Sequence, residues 1–379
     1  MSVLIPYLPV SRGHNIVTSV ESHMRLEYIC QGLDARGIDY RSTNSTHVPE
    51  HIMSMIHQAF HIVHGQDMLT HCLPSLIDGV SDDCYSCGDR TRKIVYESIV
   101  TSCTAVMNTV HSQVPTFAAV RPPGHHARTT TPMGFCWRNN ILIASIFGTL
   151  FAPTVIKKIM IFDMDLHHGG GIESIISSAP FKSYCLNKDI QIVYYSVYHK
   201  NAYDSQQDET HNLLVRRMRR RSNTQIIRRY SSTPSRWTPA KTQSRLSETQ
   251  NFLKMNGASF DIIFVAAGFD HCRGEGFTSD DHLWSVNQLH ELGTAIKEAA
   301  SKTTIGYPIA CLEGGYKKLT MTTFVPVFLL AIGIIPTVLP RVTSDIITLF
   351  ETGSDEDTES DEDIRTSMQT EFKNVYNLQ

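Results

Sequence analysis

Five short, almost wholly apolar runs alternate along this chain with longer segments of helical period, and that alternation limits the folds open to it. The runs at 116–120, 158–162, 190–195, 261–266 and 305–312 read as buried strands. Segments 51–63, 93–110, 140–150, 280–300 and 319–332 read as helices with an apolar face. Strands separated by helices predict an α/β domain on a mainly parallel central sheet, with helices on both faces. At 379 residues, 41% of them hydrophobic and 19% charged, the chain has ample material for such a core. Residues 203–250 differ: rich in Arg, Ser, Thr and Gln and poor in periodic apolar positions, they read as a basic surface excursion. The expected division is one domain over 1–345 and a polar, acidic, flexible tail over 346–379.

A formal net charge of -3 gives no overall drive toward nucleic acid or an anionic membrane. The apolar segment 324–336 is too short to span a bilayer and is broken by Pro326, so no membrane partner is expected. No basic stretch precedes the first apolar residues, which argues against a secretory signal. The nine cysteines are scattered, and Cys84-Tyr-Ser-Cys87 is a lone C-x-x-C without a second pair. A reducing, intracellular setting fits that usage.

In parallel sheets, ligands gather beyond the carboxyl ends of strands. Four polar clusters stand there. The run 158–162 leads into Asp163-Met-Asp165-Leu-His167-His168. A strand points alternate side chains the same way, so Asp163, Asp165 and His167 share one face. Two carboxylates and an imidazole crowded together are costly unless a cation holds them, and these ligand types suit zinc or another borderline divalent metal. After 116–120 comes Arg121-Pro-Pro-Gly-His125-His126, a stiff loop whose histidines suit general acid–base work near neutral pH. After 261–266 comes Ala267-Gly-Phe-Asp270, and after 305–312 comes Glu313-Gly-Gly-Tyr316. A single strand-end Asp is commonly a cap, and a single Tyr commonly a packed aromatic. Capping does not account for all four clusters together.

With these residues in hand, the sequence resembles the histone deacetylase superfamily, nearest its class II and acetylpolyamine amidohydrolase branch. The resemblance rests on Arg121-Pro-Pro-Gly-His-His-Ala127, Gly134-Phe-Cys136 with Asn139-Asn140, Asp163-Met-Asp-Leu-His-His-Gly169, Ala267-Gly-Phe-Asp270 with Arg273-Gly274, and Leu312-Glu-Gly-Gly-Tyr316. Glu21-Ser-His-Met-Arg-Leu26 and Gly32-Leu33 add an entry segment. The resemblance implies the three-layer arginase/deacetylase-like architecture and zinc-dependent hydrolysis of N-acetyl-lysine to lysine and acetate. It implies Asp165, His167 and Asp270 as zinc ligands, His126 as general base and acid, and His125 beside it oriented by Asp163. Tyr316 would stabilise the oxyanion, and Gly134 and Phe135 would line the tunnel for the substrate. A potassium ion would sit on Asp163 and Ser196, with backbone carbonyls of Asp165 and His167. Acetylated lysines of histones or other proteins are the implied substrates and corepressor proteins the implied partners, with transcription regulation in the nucleus, or activity in the cytoplasm, as the setting. The alternatives are acetylpolyamine hydrolysis and a deacetylase-like binding scaffold that has lost turnover.

Two departures stand out. The family carries Asp or Asn two residues after the second His of its D-x-D-x-H-H motif, to orient the catalytic histidine; here the position is Gly170. Beyond Ser196 the family's Gly/Pro-rich segment is replaced by a basic stretch, including Arg216–Arg221 and Arg228-Arg229, with Tyr203 as the candidate second tunnel wall. That basic stretch is either a nuclear-import or nucleic-acid-facing patch or a solvated loop. The acidic run 355–363 is its opposite in charge.

Overall fold

Short β-branched and aromatic runs bury both faces at once only in the middle of a three-layer sandwich, and that is where they lie. The computed structural model describes residues 2–6, 8–14, 19–71, 84, 88–198, 224–230, 239–276, 284–335 and 370, with backbone alone for 224–230 and 239–242. Eight strands are formed: β1 (Val3–Pro6), β2 (Arg41–Thr43), β3 (Thr116–Ala118), β4 (Lys158–Asp163), β5 (Gln191–Tyr198), β6 (Thr224–Tyr230), β7 (Ile262–Ala267) and β8 (Ile309–Leu312). They make one sheet in the order β2-β1-β3-β8-β7-β4-β5-β6. Every pairing among the described residues is parallel, as the alternation of strands and helices predicts.

The helices are α1 (Leu8–Gly13), α2 (Met24–Asp34), α3 (Glu50–His64), α4 (Met68–His71), α5 (Asp89–Ser112), α6 (Asn140–Phe151), α7 (Gly170–Ser177), α8 (Ala179–Asn187), α9 (Pro239–Asn256), α10 (Val286–Ala300) and α11 (Lys318–Ala331). Along β4, Met160 and Phe162 enter one apolar core with Leu33 of α2, Leu253 of α9, Leu292 of α10 and Phe328 of α11. Ile159 and Ile161 enter the other with Phe60 of α3, Val106 of α5, Phe147 of α6 and Ile176 of α7. The period-2 alternation of a strand thus feeds two cores and fixes the register of the central strands.

Three expectations are corrected. The helix expected over 280–300 begins at Val286, where Ser285 and Gln288 form a reciprocal capping box. The strand expected over 305–312 is cut to β8, because Gly306 turns at φ +82° before Pro308. The excursion at 203–250 contains two regular elements: β6, parallel to β5, and most of α9, whose Leu246 and Leu253 are buried. Tyr203, Arg216–Arg221 and the acidic run lie outside the described residues. Arg228 and Arg229 fall in β6, in register with Ser196 and Val197.

Candidate metal centre and active site

Because every described pairing is parallel, the four central strands β3, β8, β7 and β4 present their carboxyl ends along one edge. Each delivers one of the four polar clusters. Asp165 and His167 leave β4, and Asp270 leaves β7. Their ligand atoms all lie within 4.8 Å of one another. His167 Nδ1 is 2.9 Å from Asp270 Oδ2 and 3.2 Å from Asp165 Oδ1. Backbone amides fix the carboxylates: Leu166 N donates to Asp270 Oδ1 at 3.0 Å, His167 N to Asp165 Oδ1 at 2.9 Å, and Gly314 N to Asp165 Oδ2 at 2.8 Å.

The charges are unbalanced in a telling way. Both aspartates are fully buried. Burial, together with the Asp165 charge beside it, raises the Asp270 carboxyl. Burial also works to raise Asp165, but His125 and His167 outweigh it and hold that carboxyl low. Burial works to lower His167, yet hydrogen bonds to both aspartates push it up to about 10. A single imidazole nitrogen therefore stands between two buried carboxylates that repel each other. One nitrogen and two oxygens converging on one spot is a donor set that fits zinc, with a further position left for water or substrate.

The approach to that spot is crowded. Ideal side chains on Gly268 and Gly314 would each press on Asp165, with Cβ at 2.0 and 2.7 Å from its Oδ2. Only glycine lets those two strand ends come so near. Gly134, at φ +53°, does the same for His126, whose Cδ2 would lie 2.4 Å from a Cβ there.

His125 and His126 pack with ring centroids 4.0 Å apart and planes tilted by 45°, and His126 lies 5.9 Å from the His167 ring. His125 Nδ1 is 3.2 Å from Asp163 Oδ2. Burial opposes its charge, but Asp165 and Asp163 raise its pKa well above the ordinary histidine value. Tyr316 faces Phe135 edge-on at 5.7 Å, and Phe135 holds the left-handed φ of +62°, a conformation uncommon outside glycine. Burial raises the Tyr316 phenol well above its ordinary value, against the pull of Arg25, so it stands as a neutral hydrogen-bond donor.

Asp163 and Ser196 are register partners on β4 and β5. The Tyr194 hydroxyl donates to Asp163 Oδ2 at 2.7 Å. His168 bridges Ser196 Oγ at 3.2 Å and Glu173 Oε2 at 2.8 Å. Gly170 is the first residue of α7 and has ordinary helical backbone, not the left-handed φ that would demand glycine.

Several contributors escaped sequence reasoning. Arg25 is fully buried; it donates from Nε to Gly315 O at 2.6 Å and from Nη2 to Glu313 O, and its guanidinium sits 4.6 Å from the Tyr316 ring centroid. Glu21 joins it and Arg121 in a buried ion-pair network. Glu313 Oε2 accepts from Gly124 N at 2.6 Å and His125 N at 3.0 Å, gripping the histidine loop. A Glu21–Arg25 pair at i,i+4 is the one local signal that pointed there; the rest are contacts across long stretches of chain.

The chain matches the Histone deacetylase domain family over residues 11–332, most of its length. It belongs to the histone deacetylase family. Among curated relatives, "Histone deacetylase clr3" of Schizosaccharomyces pombe is 33% identical over 31% of this chain and 18% of its own length. "Histone deacetylase 4" of Caenorhabditis elegans is 27% identical over 53% of this chain and 21% of its own. The chain thus spans well under a third of those relatives. Among solved structures, the HDA15 HD domain superposes with a TM-score of 0.64 at 18% identity, over 99% of this chain and 98% of that one. Acetylpolyamine aminohydrolase from Burkholderia pseudomallei gives 0.58 at 17% identity, over 88% and 99%. The fold is the three-layer α/β architecture of these deacetylase-family structures. No helix among the described residues is long and apolar enough to cross a membrane.

Proposed function

We propose that this histone deacetylase family member is a zinc-dependent amidohydrolase that cleaves N-acetyl-lysine to lysine and acetate, with acetylated histones or other proteins as substrates. The observation that carries the reading is the convergence of Asp165, His167 and Asp270 beside the packed His125–His126 pair. Zinc bound by those three would supply a Lewis acid for the amide carbonyl and make water a better nucleophile. His126 takes the proton of the attacking water and returns it to the leaving lysine amine. His125, held by Asp163, packs its imidazole against that ring and fixes where the ring sits. Tyr316 donates its hydroxyl proton in a hydrogen bond to the carbonyl oxygen as negative charge grows there. Phe135 and Gly134 form a wall for the aliphatic lysine stem. Asp163 and Ser196 are the side chains suited to a potassium ion. Nuclear or cytoplasmic location and corepressor partners belong to the same reading.

The test is turnover of an acetyl-lysine peptide by zinc-loaded protein, with acetylputrescine in parallel. Peptide turnover supports the reading. Turnover of acetylputrescine alone replaces it with polyamine hydrolysis, and turnover of neither by folded, zinc-bound protein makes the chain a binding scaffold.

A further inference from the structure

The loop that carries Asp270 continues to a second buried acid, Glu275, only 3% exposed. Its carboxylate reaches across to the Gly-Gly-Tyr turn. Tyr316 N donates to Glu275 Oε1 and Oε2, both at 3.0 Å, and Lys317 N donates to Oε1 at 3.0 Å. Lys317 is the N-cap of α11 and makes no side-chain cap bond of its own. Glu275 therefore supplies from another segment the acceptor that this helix end needs, at the pole where a negative group is favoured. Gly274 and Gly276, at φ +88° and +77°, turn the chain on either side of it.

The loop between the two acids is itself held. Cys272 pairs with Trp284 as an isolated bridge, Trp284 N donates to His271 O at 2.8 Å, and the His271 ring stacks on Trp284 at 4.7 Å. Phe269 N donates to Gly314 O at 3.1 Å, joining the same two loops at their other end. One stiff segment thus carries a candidate metal ligand at its start and grips the backbone of the candidate oxyanion donor at its end.

We propose that Glu275 is a positioning residue, which sets the Tyr316 backbone at a fixed distance from the metal ligand Asp270 and so aims the Tyr316 hydroxyl at the reacting carbonyl. Arg25 and Phe135 touch the Tyr316 ring, while Glu275 holds its backbone amide. Burial raises the Glu275 carboxyl to about 7, against the lowering pull of the Lys317 and Tyr316 amides, and the grip consists of those backbone N–H donors on its oxygens. An hydroxyl displaced by about an ångström loses much of its value to the transition state while the substrate still binds.

This inference rests on the deacetylase reading for its kinetic consequence but not for its structural one, so the experiment has two arms. In the kinetic arm, Glu275→Ala lowers kcat on acetyl-lysine peptide about 10–100-fold with little change in KM, and Glu275→Gln recovers most of that loss. In a Tyr316→Phe background, Glu275→Ala costs less than about threefold further, because the group being aimed is already gone. Equal losses in both backgrounds would overturn the proposal. In the second arm, hydrogen exchange of the 316 and 317 amides quickens in Glu275→Ala, while zinc content and exchange over 163–168 stay at wild-type values. Unchanged exchange at 316 and 317 would overturn the grip itself. Should wild-type protein turn over no acetyl-lysine, the functional reading fails, and the exchange arm still decides the contact.

Discussion

Among the described residues, two groups of three side chains of metal-ligand type converge: Asp165, His167 and Asp270 in one, His125, Cys136 and Glu313 in the other. They share a neighbourhood and one histidine each, yet they differ in charge and access. In the first, two aspartates stand against one imidazole whose side chain is 17% exposed, so a cation can reach the group and gains two carboxylates. In the second, all three are buried. Burial raises the Cys136 thiol well above its ordinary value and the Glu313 carboxyl to about 7, and His125 is already engaged with Asp163. A thiol and an acid that resist ionising offer little to a metal; they make an anchor under the histidine loop. Ligand type alone does not make a site; charge and access do.

The sharpest way to break that contrast is to remove one member of each group. Asp270→Ala should abolish zinc retention and hydrolysis, whereas Cys136→Ser should keep the wild-type zinc stoichiometry by metal analysis. Loss of zinc in Cys136→Ser, or full zinc in Asp270→Ala, would reverse the two assignments. Next in size is Tyr316→Phe, which deletes one donor aimed at the developing oxyanion and should cost about 10²–10³ in turnover number with KM little changed. An unaltered turnover number would leave Tyr316 as packing.

Gly170→Asn comes third. The backbone at 170 is helical and begins α7, so the new side chain carries no left-handed strain, and asparagine restores the acceptor that the family pattern carries at this position. Turnover should rise, by roughly tenfold at most, with zinc affinity unchanged. A lower rate in folded, zinc-loaded Gly170→Asn would show that the histidine pair is already fully oriented.

The smallest effect concerns the anchor. Glu313 has its folded pKa raised by burial, with His125 pulling it down and Asp163 pushing it up. Its ionised form is disfavoured in the fold, so its contribution to stability falls as pH rises from the ordinary glutamate range near 4.5 to about 7. Glu275 contributes with the same sign. Glu313→Gln should therefore shrink the drop in Tm between pH 5 and 7.5 by a few degrees, on the scale of roughly 1 kcal/mol, without removing it. An identical pH slope in thermal melts of both proteins would contradict the buried-acid account.

What was legible in the sequence follows from range. Asp165 and His167 were legible from their place just past an unbroken apolar run, although β4 stops at Asp163 and the loop beyond it, rather than strand alternation, carries them. α3 and α5 were legible because each buries a periodic face, and the central strands, α6 and α11 because each is an apolar run buried on nearly every side. β1 and β2 were not: at four and three residues they carry no period, and their pairing with distant strands is what makes them strands. β6, Thr224-Gln-Ile-Ile-Arg-Arg-Tyr230, is too polar for a buried run; among the described residues it is the edge strand beside β5. Arg25 bonds to residues about 290 positions away, and no local pattern announces such a contact.

The position of β8 bears on how the chain assembles during synthesis. It is the last described strand in sequence but sits near the middle of the sheet, between β3 and β7. Until residues 309–312 emerge from the ribosome, the earlier strands can form only two half-sheets, each with a bare inner edge open to wrong pairing. The half built on β4 and β7 already owns Asp165, His167 and Asp270, while His125 and His126 belong to the half built on β3. Insertion of β8 joins the two halves and delivers Tyr316 in the same stroke. A nascent chain stalled before it would own both groups of side chains and lack the strand that sets one against the other.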